Sequence, residues 1–319
     1  MASTASTRGM IFLEPGSKII NEAISTRLAD GARRPLEPVD IRLADFDNVM
    51  YRLSVDAEDR DRIGLSISMG CLNDLKPVGA QVMLDELYAG MAQPSAEEGF
   101  DLTLKFNPDS LSCSAEDMIK KCAQLKRNLL GSPLDQCFDA LCNNRAGSMS
   151  PIEIKWRPME SMFILPQADR CTIIFSVDFA DQTDNALARV FLQEFADAQR
   201  SVSGSPPVSF SREPPLELRE TSFVTREVPS LVGYLTLSIF DSHVNSPEKR
   251  ENAVNMIVGF RNYVHYHIKA CKSYLHTRMR RRVESLLQVL NRARPDTKEA
   301  TGTKTASGKT FRRAGAAKR

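Results

Sequence analysis

A helical pattern of about 48 residues, from Pro247 to Arg294, constrains this chain more than any other stretch of it. Apolar residues recur at three- and four-residue steps through Ala253, Ile257, Phe260, Val264, Ile268, Cys271, Leu275, Met279, Val283, Leu287 and Leu290, a seam that requires burial along its length. At 1.5 Å per residue such a helix spans roughly 70 Å, whereas an ordinary globular helix has about 11–12 residues. Part of it must therefore lie on something outside a compact core. Ser246, Pro247 and Glu248 suit a helix start, as cap, first-turn proline and acid at the positive dipole end. The junction Arg294-Pro295 stops it.

Before this helix, two successive stretches alternate helical and strand patterns. The first comprises a helix over Gly16–Asp30 with Gly31 as its stop, then strands at Val39–Leu43, Val49–Val55 and Ile63–Met69. The link Asp45–Asn48 and the other short connections suit an antiparallel meander. A helix over Leu75–Ala89, a strand over Phe100–Phe106 and a helical run over Ala115–Leu141, with a candidate break at Gly131-Ser132-Pro133, complete it. Turn formers cluster at Asn143–Ser148, the best candidate linker. The second stretch has strands at Ile152–Trp156, Met162–Leu165 and Cys171–Val177, a helix over Asn185–Gln199, and strands at Val208–Phe210 and Leu231–Phe240.

The two stretches resemble each other in element order, although no repeat is visible residue by residue, and the very long C-terminal helix follows them. The expected organisation is an extension over residues 1–9, an N-terminal domain over 10–145, a C-terminal domain over 146–294 that includes the helix 247–294, and a basic flexible tail over 295–319, poor in apolar residues.

The net charge of +2 conceals an asymmetry. From Lys269 onward there are 15 Lys/Arg against 3 Asp/Glu, so the C-terminal end is strongly basic and the rest mildly acidic. A basic end calls for an acidic partner surface: nucleic acid, anionic lipid or acidic protein. No apolar run approaches the roughly 20 residues of a membrane span, and Met1–Gly9 lacks the pattern of a secretory leader. A cytoplasmic protein is expected.

Little in the chain resembles a catalytic or metal site. The seven cysteines form no C-x-x-C pair and are read as small hydrophobes. His265 and His267, two residues apart on a helix, point about 200° apart and cannot share a metal, so these histidines are read as structural or partner-contacting. Ser307-Gly-Lys-Thr-Phe311 imitates a phosphate-binding loop, but Gly302 stands one residue too far from Gly308, and no buried strand feeds it. Trp156 is read as core. No cofactor, metal ligand or catalytic residue is assigned.

Several long stretches resemble one family. Tyr263–Arg280 (YVHYHIKACKSYLHTRMR), Leu287–Asp296 (LQVLNRARPD), Phe210–Leu218, Val190–Phe195, Ala44–Tyr51 and Met10–Glu14 are similar to subunit 2, the 34-kDa subunit, of the actin-related protein 2/3 complex. The likeness runs in order from Met10 to Phe311, is strong after Arg189, and extends to the Gly-Lys-Thr-Phe of the tail. The residues before Met10, the Asn107–Ser148 region and Arg312–Arg319 depart from it.

The resemblance implies an α+β fold of two related domains, each an antiparallel sheet flanked by helices, with a very long C-terminal helix. It implies a non-enzymatic scaffold subunit in a complex that nucleates branched actin filaments, located in the cytoplasm and cytoskeleton at actin patches or the cell cortex. It implies pairing with subunit 4 through the long helix, contact with both actin-related proteins, and a grip on the mother filament. The seam then buries against the domain sheet at one end and a partner helix at the other. Phe260, Val264, Ile268, Cys271, Leu275, Leu287 and Leu290 are assigned to the subunit interface, the first five equally to core packing. Lys269, Lys272, Arg278, Arg280, Arg281 and Arg282 are assigned to filament contact.

Two rival readings have distinct signatures. A nucleic-acid-binding protein would show steeply salt-dependent duplex binding through the basic end, although only Tyr274 stands among those charges to stack on a base. A hydrolase or transferase would need a pocket of converging titratable groups.

Overall fold

A computed structural model describes residues 14–29, 35–157, 159–223 and 231–293, together with the backbone of 303–304 and 310–311. The chain divides into two compact units, Met1–Lys272 and Ser273–Arg319. The extension 1–9, the stop at Gly31 and most of the tail 295–319 lie outside the described residues.

The first unit opens with α1 (Lys18–Leu28), where Ser17 caps by accepting from the Ile20 amide and Ile20 and Ile24 supply the buried face. Strands β1 (Val39–Ala44), β2 (Met50–Val55) and β3 (Ile63–Ser68) then form an antiparallel meander that β4 (Leu102–Phe106) completes in the order β1-β2-β3-β4. Asp47 and Asn48 make the β1–β2 turn with φ of 70° and 59°, a left-handed conformation that Asp and Asn tolerate better than most residues.

Two helices differ from the sequence expectation, one where a proline splits the pattern and one where a proline fails to break it. The pattern over Leu75–Ala89 is split into α2 (Leu72–Leu75), a 3-10 turn at Lys76–Val78 and α3 (Ala80–Leu87). Pro77 cannot donate within a helix, and Gly79 at φ 124° redirects the chain. The run over Ala115–Leu141 breaks at Gln124, between α4 (Ala115–Ala123) and α5 (Leu125–Cys142), and not at Gly131–Pro133. Pro133 sits inside α5 because the Ser132 hydroxyl donates to the Leu129 carbonyl at 2.8 Å, the acceptor that the missing proline amide leaves open.

A 3-10 turn at Ala146–Ser148 leads from the first sheet to the second. Strands β5 (Ile152–Arg157), β6 (Glu160–Pro166) and β7 (Arg170–Val177) run consecutively. Then α6 (Gln182–Gln199), β8 (Val208–Ser211), the short α7 (Leu216–Arg219) and β9 (Gly233–Phe240) follow. The strand order is β5-β6-β7-β9-β8, all antiparallel, so β9 returns between β7 and β8. After one turn, α8 (Asp241–Val244), the chain enters α9 (Pro247–Arg292), 46 residues without interruption.

The expected α+β class, with two antiparallel sheets, flanking helices and the long terminal helix, is the observed one. One continuous apolar core joins Tyr51, Leu53, Leu65 and Leu104 of the first sheet, Leu129, Leu130 and Phe138 of α5, and Ile164, Ile173 and Leu237 of the second sheet. Phe163, Leu165, Ile174, Leu218 and Tyr234 form a second, smaller cluster. In the second unit the backbone of Thr303–Lys304 (β10) pairs antiparallel with Thr310–Phe311 (β11).

Candidate interaction surface on the long helix

Helix α9 changes character along its length. At its start, the Ser246 hydroxyl accepts from the Lys249 amide at 3.3 Å, the cap that the sequence called for. From there Val254, Ile257, Phe260, Val264 and Ile268 are each 5% exposed or less. Phe260 packs its ring 5.2 Å from that of Phe175 on β7 and 5.5 Å from that of Phe195 on α6. Of the residues assigned to the subunit interface, Phe260, Val264 and Ile268 thus belong to the chain's own core. Side chains so fully covered have no area left to offer a partner.

The same stretch carries a buried ionic network. Arg261, 7% exposed, pairs with Asp47 of the β1–β2 turn and with Glu160 of β6. His265 Nε2 lies 3.2 Å from the other Glu160 oxygen, and its ring stacks 4.4 Å from Phe179. Lys126 of α5 donates to Asp45 at 3.1 Å and lies 3.5 Å from Asp47. Burial pulls the Arg261 guanidinium down to about 10, still charged at neutral pH, and burial also lowers Lys126. Trp156, partly buried as a core residue would be, lies under the Arg261 guanidinium at 5.4 Å. His267 faces elsewhere, against Phe191 and Tyr263, as the angular argument requires.

Two of the six cations assigned to a filament are engaged within the chain. Lys272 Nζ lies 2.8 Å from Asp181 and 3.0 Å from Asp184, and Lys269 pairs with Asp184. Hydrogen bonding to Lys272 holds the Asp181 carboxyl well below the usual range, and Lys272 is raised in turn by Asp181 and Asp184. Asp181 is also the cap of α6, accepting from Thr183 and Asp184 amides. These partners were not singled out from the sequence. The local signal was aspartate close before a helical pattern, which is ordinary capping chemistry.

Beyond Lys272 the helix is different. Leu275 is 37% exposed, Leu287 52%, Leu290 57% and Met279 60%. Tyr274, Val283, Leu286 and Val289 are likewise exposed, as is Cys271. Among them stand Arg278, Arg280, Arg281 and Arg282, all exposed. Arg278 lies 5.6 Å over the Tyr274 ring.

Chemistry of other kinds finds no comparable assembly among the described residues. No group of three or more His, Cys, Asp or Glu could hold a metal, and no helix is long and apolar enough to cross a membrane. A cavity of about 480 Å³ lies between α4, α5 and the start of α9. Of its cations, Lys120, Arg127 and Arg250 are answered by Glu251, Asp135 and Asp139. Burial pushes the thiols of Cys71 and Cys122 up to about 12, so they are poor nucleophiles at neutral pH.

A long helix with a buried first half and an exposed apolar, arginine-rich second half is the sort of element that joins subunits. The sequence profile of the Arp2/3 complex 34 kD subunit, p34-Arc, matches residues 65–297. The chain belongs to the p34-Arc family. Two curated members agree over nearly the whole length. The actin-related protein 2/3 complex subunit 2 of Dictyostelium discoideum is 35% identical over 306 residues, covering 95% of this chain and 99% of its own. That of Schizosaccharomyces pombe is 32% identical over 327 residues, covering 96% and 100%. The p34-Arc match contains all of α9, including the exposed segment.

Proposed function

We propose that this chain is a non-catalytic scaffold subunit of the Arp2/3 complex, which nucleates branched actin filaments. Its exposed α9 segment packs against subunit 4, its body contacts other subunits including both actin-related proteins, and its arginine-rich stretch contributes to gripping the mother filament. It acts in the cytoplasm, on the actin cytoskeleton at patches or the cortex. The reading rests on one observation above all: apolar side chains at Leu275, Met279, Leu287 and Leu290 are 37% to 60% exposed on a helix whose earlier apolar residues are buried. A row of large exposed apolar side chains marks an interaction surface. Family membership supplies the complex.

The filament role is to be sought among Arg278, Arg280, Arg281 and Arg282, since Lys269 and Lys272 are already paired. Actin is acidic, and cationic side chains that have no carboxylate partner among the described residues are available to it. Purification of the native protein with a fixed set of the other complex subunits is the expected outcome; recovery as a lone chain would sink the assembly reading. Filament cosedimentation of the assembled complex with these arginines changed to glutamate one at a time tests the second part, and binding unchanged by every one of them would refute it.

A further inference from the structure

The residues of α9 beyond Lys272 are not evenly distributed around the helix. At about 100° per residue, Leu275, Leu286, Met279, Leu290 and Val283 fall within an arc of about 80°, in that angular order, with Leu287 and Val289 just outside its two ends. Arg282 and Arg278 border this stripe on one side and Arg280 on the other. Arg281 and Arg292 lie on the opposite face. The stripe is therefore fenced by cations, and only Arg281 among the clustered arginines points away from it.

The charges decide what can cover the stripe. Between Ser273 and Arg292 there are five arginines and a single acid, Glu284. A second copy of the helix would set cations against cations on at least one border in either direction, and like charges flanking an apolar seam exclude pairing. An aliphatic stripe bordered by arginine instead fits a seam bordered by carboxylates, which long arginine side chains reach while their methylenes cover the apolar edge.

We infer that the occupant of this stripe is a partner helix whose own apolar seam is flanked by acidic side chains met by Arg278, Arg280 and Arg282, which leaves Arg281 as the arginine of this cluster free for the filament. This rests on the assembly role proposed above and divides between two partners a cluster that the sequence treats as one.

Lysine replacements keep the charge and add an amine that a carbodiimide joins to any carboxylate in contact. The full complex is reconstituted with R280K, R282K or R281K, cross-linked with and without actin filaments, and mapped by mass spectrometry. The expected result is linkage of R280K and R282K to acidic residues of one neighbouring subunit regardless of filament, and of R281K to actin only when filament is present. In competition with the wild-type chain for incorporation, R280E/R282E is expected to be disfavoured about tenfold or more, with R281E equal to wild type.

Linkage of R280K and R282K to actin alone, or no linkage to any subunit, would overturn the assignment. So would a purified chain that sediments as a dimer dissolved by L286D/L290D, because the occupant would then be a second copy. Separately, L286D/L290D that enters the complex as well as wild type would refute the assembly reading itself, not the division of charges.

Discussion

Arg261 and Glu160, 101 residues apart in sequence, form an ion pair in which both side chains are almost wholly buried. Asp47 takes the other arm of the same guanidinium, so one arginine of α9 is tied to a turn of the first sheet and a strand of the second. Removing Arg261 would take the shared cation from two buried carboxylates, leaving Asp47 with Lys126 and Glu160 with Arg157 and His265. Arg261→Met is expected to cost about 3–5 kcal/mol, and Arg261→Lys an intermediate amount because an ammonium cannot reproduce the planar fork. Urea denaturation of the purified chain measures both. A loss under about 1 kcal/mol for Met would show that the pair is not needed.

Asp181 and Lys272 make a pH-sensitive tie between α6 and α9. The folded Asp181 carboxyl is held below its ordinary value of 3.8, so its contribution to stability is complete above that pH and fades as pH falls below it. Lys272 is raised above 10.5, so its contribution is present below that value and is lost as pH rises through the raised one. Asp181→Asn keeps a capping side chain and removes the charge. Comparing urea midpoints from pH 7 downward, the difference between wild type and D181N should shrink in the acid range; a difference independent of pH would contradict the linkage.

The two halves of the apolar seam should respond oppositely to truncation. Phe260→Ala opens a cavity among Phe175, Phe195 and α9 and is expected to cost about 3–5 kcal/mol. Leu290→Ala, on a side chain 57% exposed, should change the stability of the isolated chain by no more than about 0.5 kcal/mol. Its effect is expected in assembly. Thermal melts of the two variants, with incorporation into the complex as the second readout, separate the roles.

Gly131 marks where α5 and α9 touch. A β-carbon there would stand 2.7 Å from Val254 Cγ1, closer than atoms can approach, and a valine methyl cannot swing aside as a long side chain would. Gly131→Ala should therefore destabilise by about 1–3 kcal/mol although alanine favours helix by up to about 1 kcal/mol. Adding Val254→Ala should recover part of the loss. If G131A alone proves stabilising, the close approach is not rigid.

Much of the architecture was legible because the patterns were local. Period-two runs such as Phe100–Phe106 and turn formers such as Asp45–Asn48 located the strands, and a capping serine and Pro247 located the start of α9. What failed was also local in appearance but not in cause. The break expected at Gly131–Pro133 is absent because Ser132 supplies the missing donor to Leu129. The actual break at Gln124 carries no proline or glycine to announce it. Of the candidate interaction surface, the distal apolar and arginine residues that prove exposed were already singled out in the sequence, whereas the engagement of Lys269 and Lys272 was not, since their partners Asp184 and Asp181 lie 85 and 91 positions away.

The sequence alone determined that a seam of this length exceeds any single core, because helical rise per residue is fixed and a periodic stripe needs a surface as long as itself. Only the tertiary structure decided where one surface ends and another must begin: up to Ile268 the sheets and α6 cover the seam, and from Leu275 onward the side chains are exposed. Periodicity records that a face is apolar but not what lies against it, since burial depends on which distant segments the chain brings to that face.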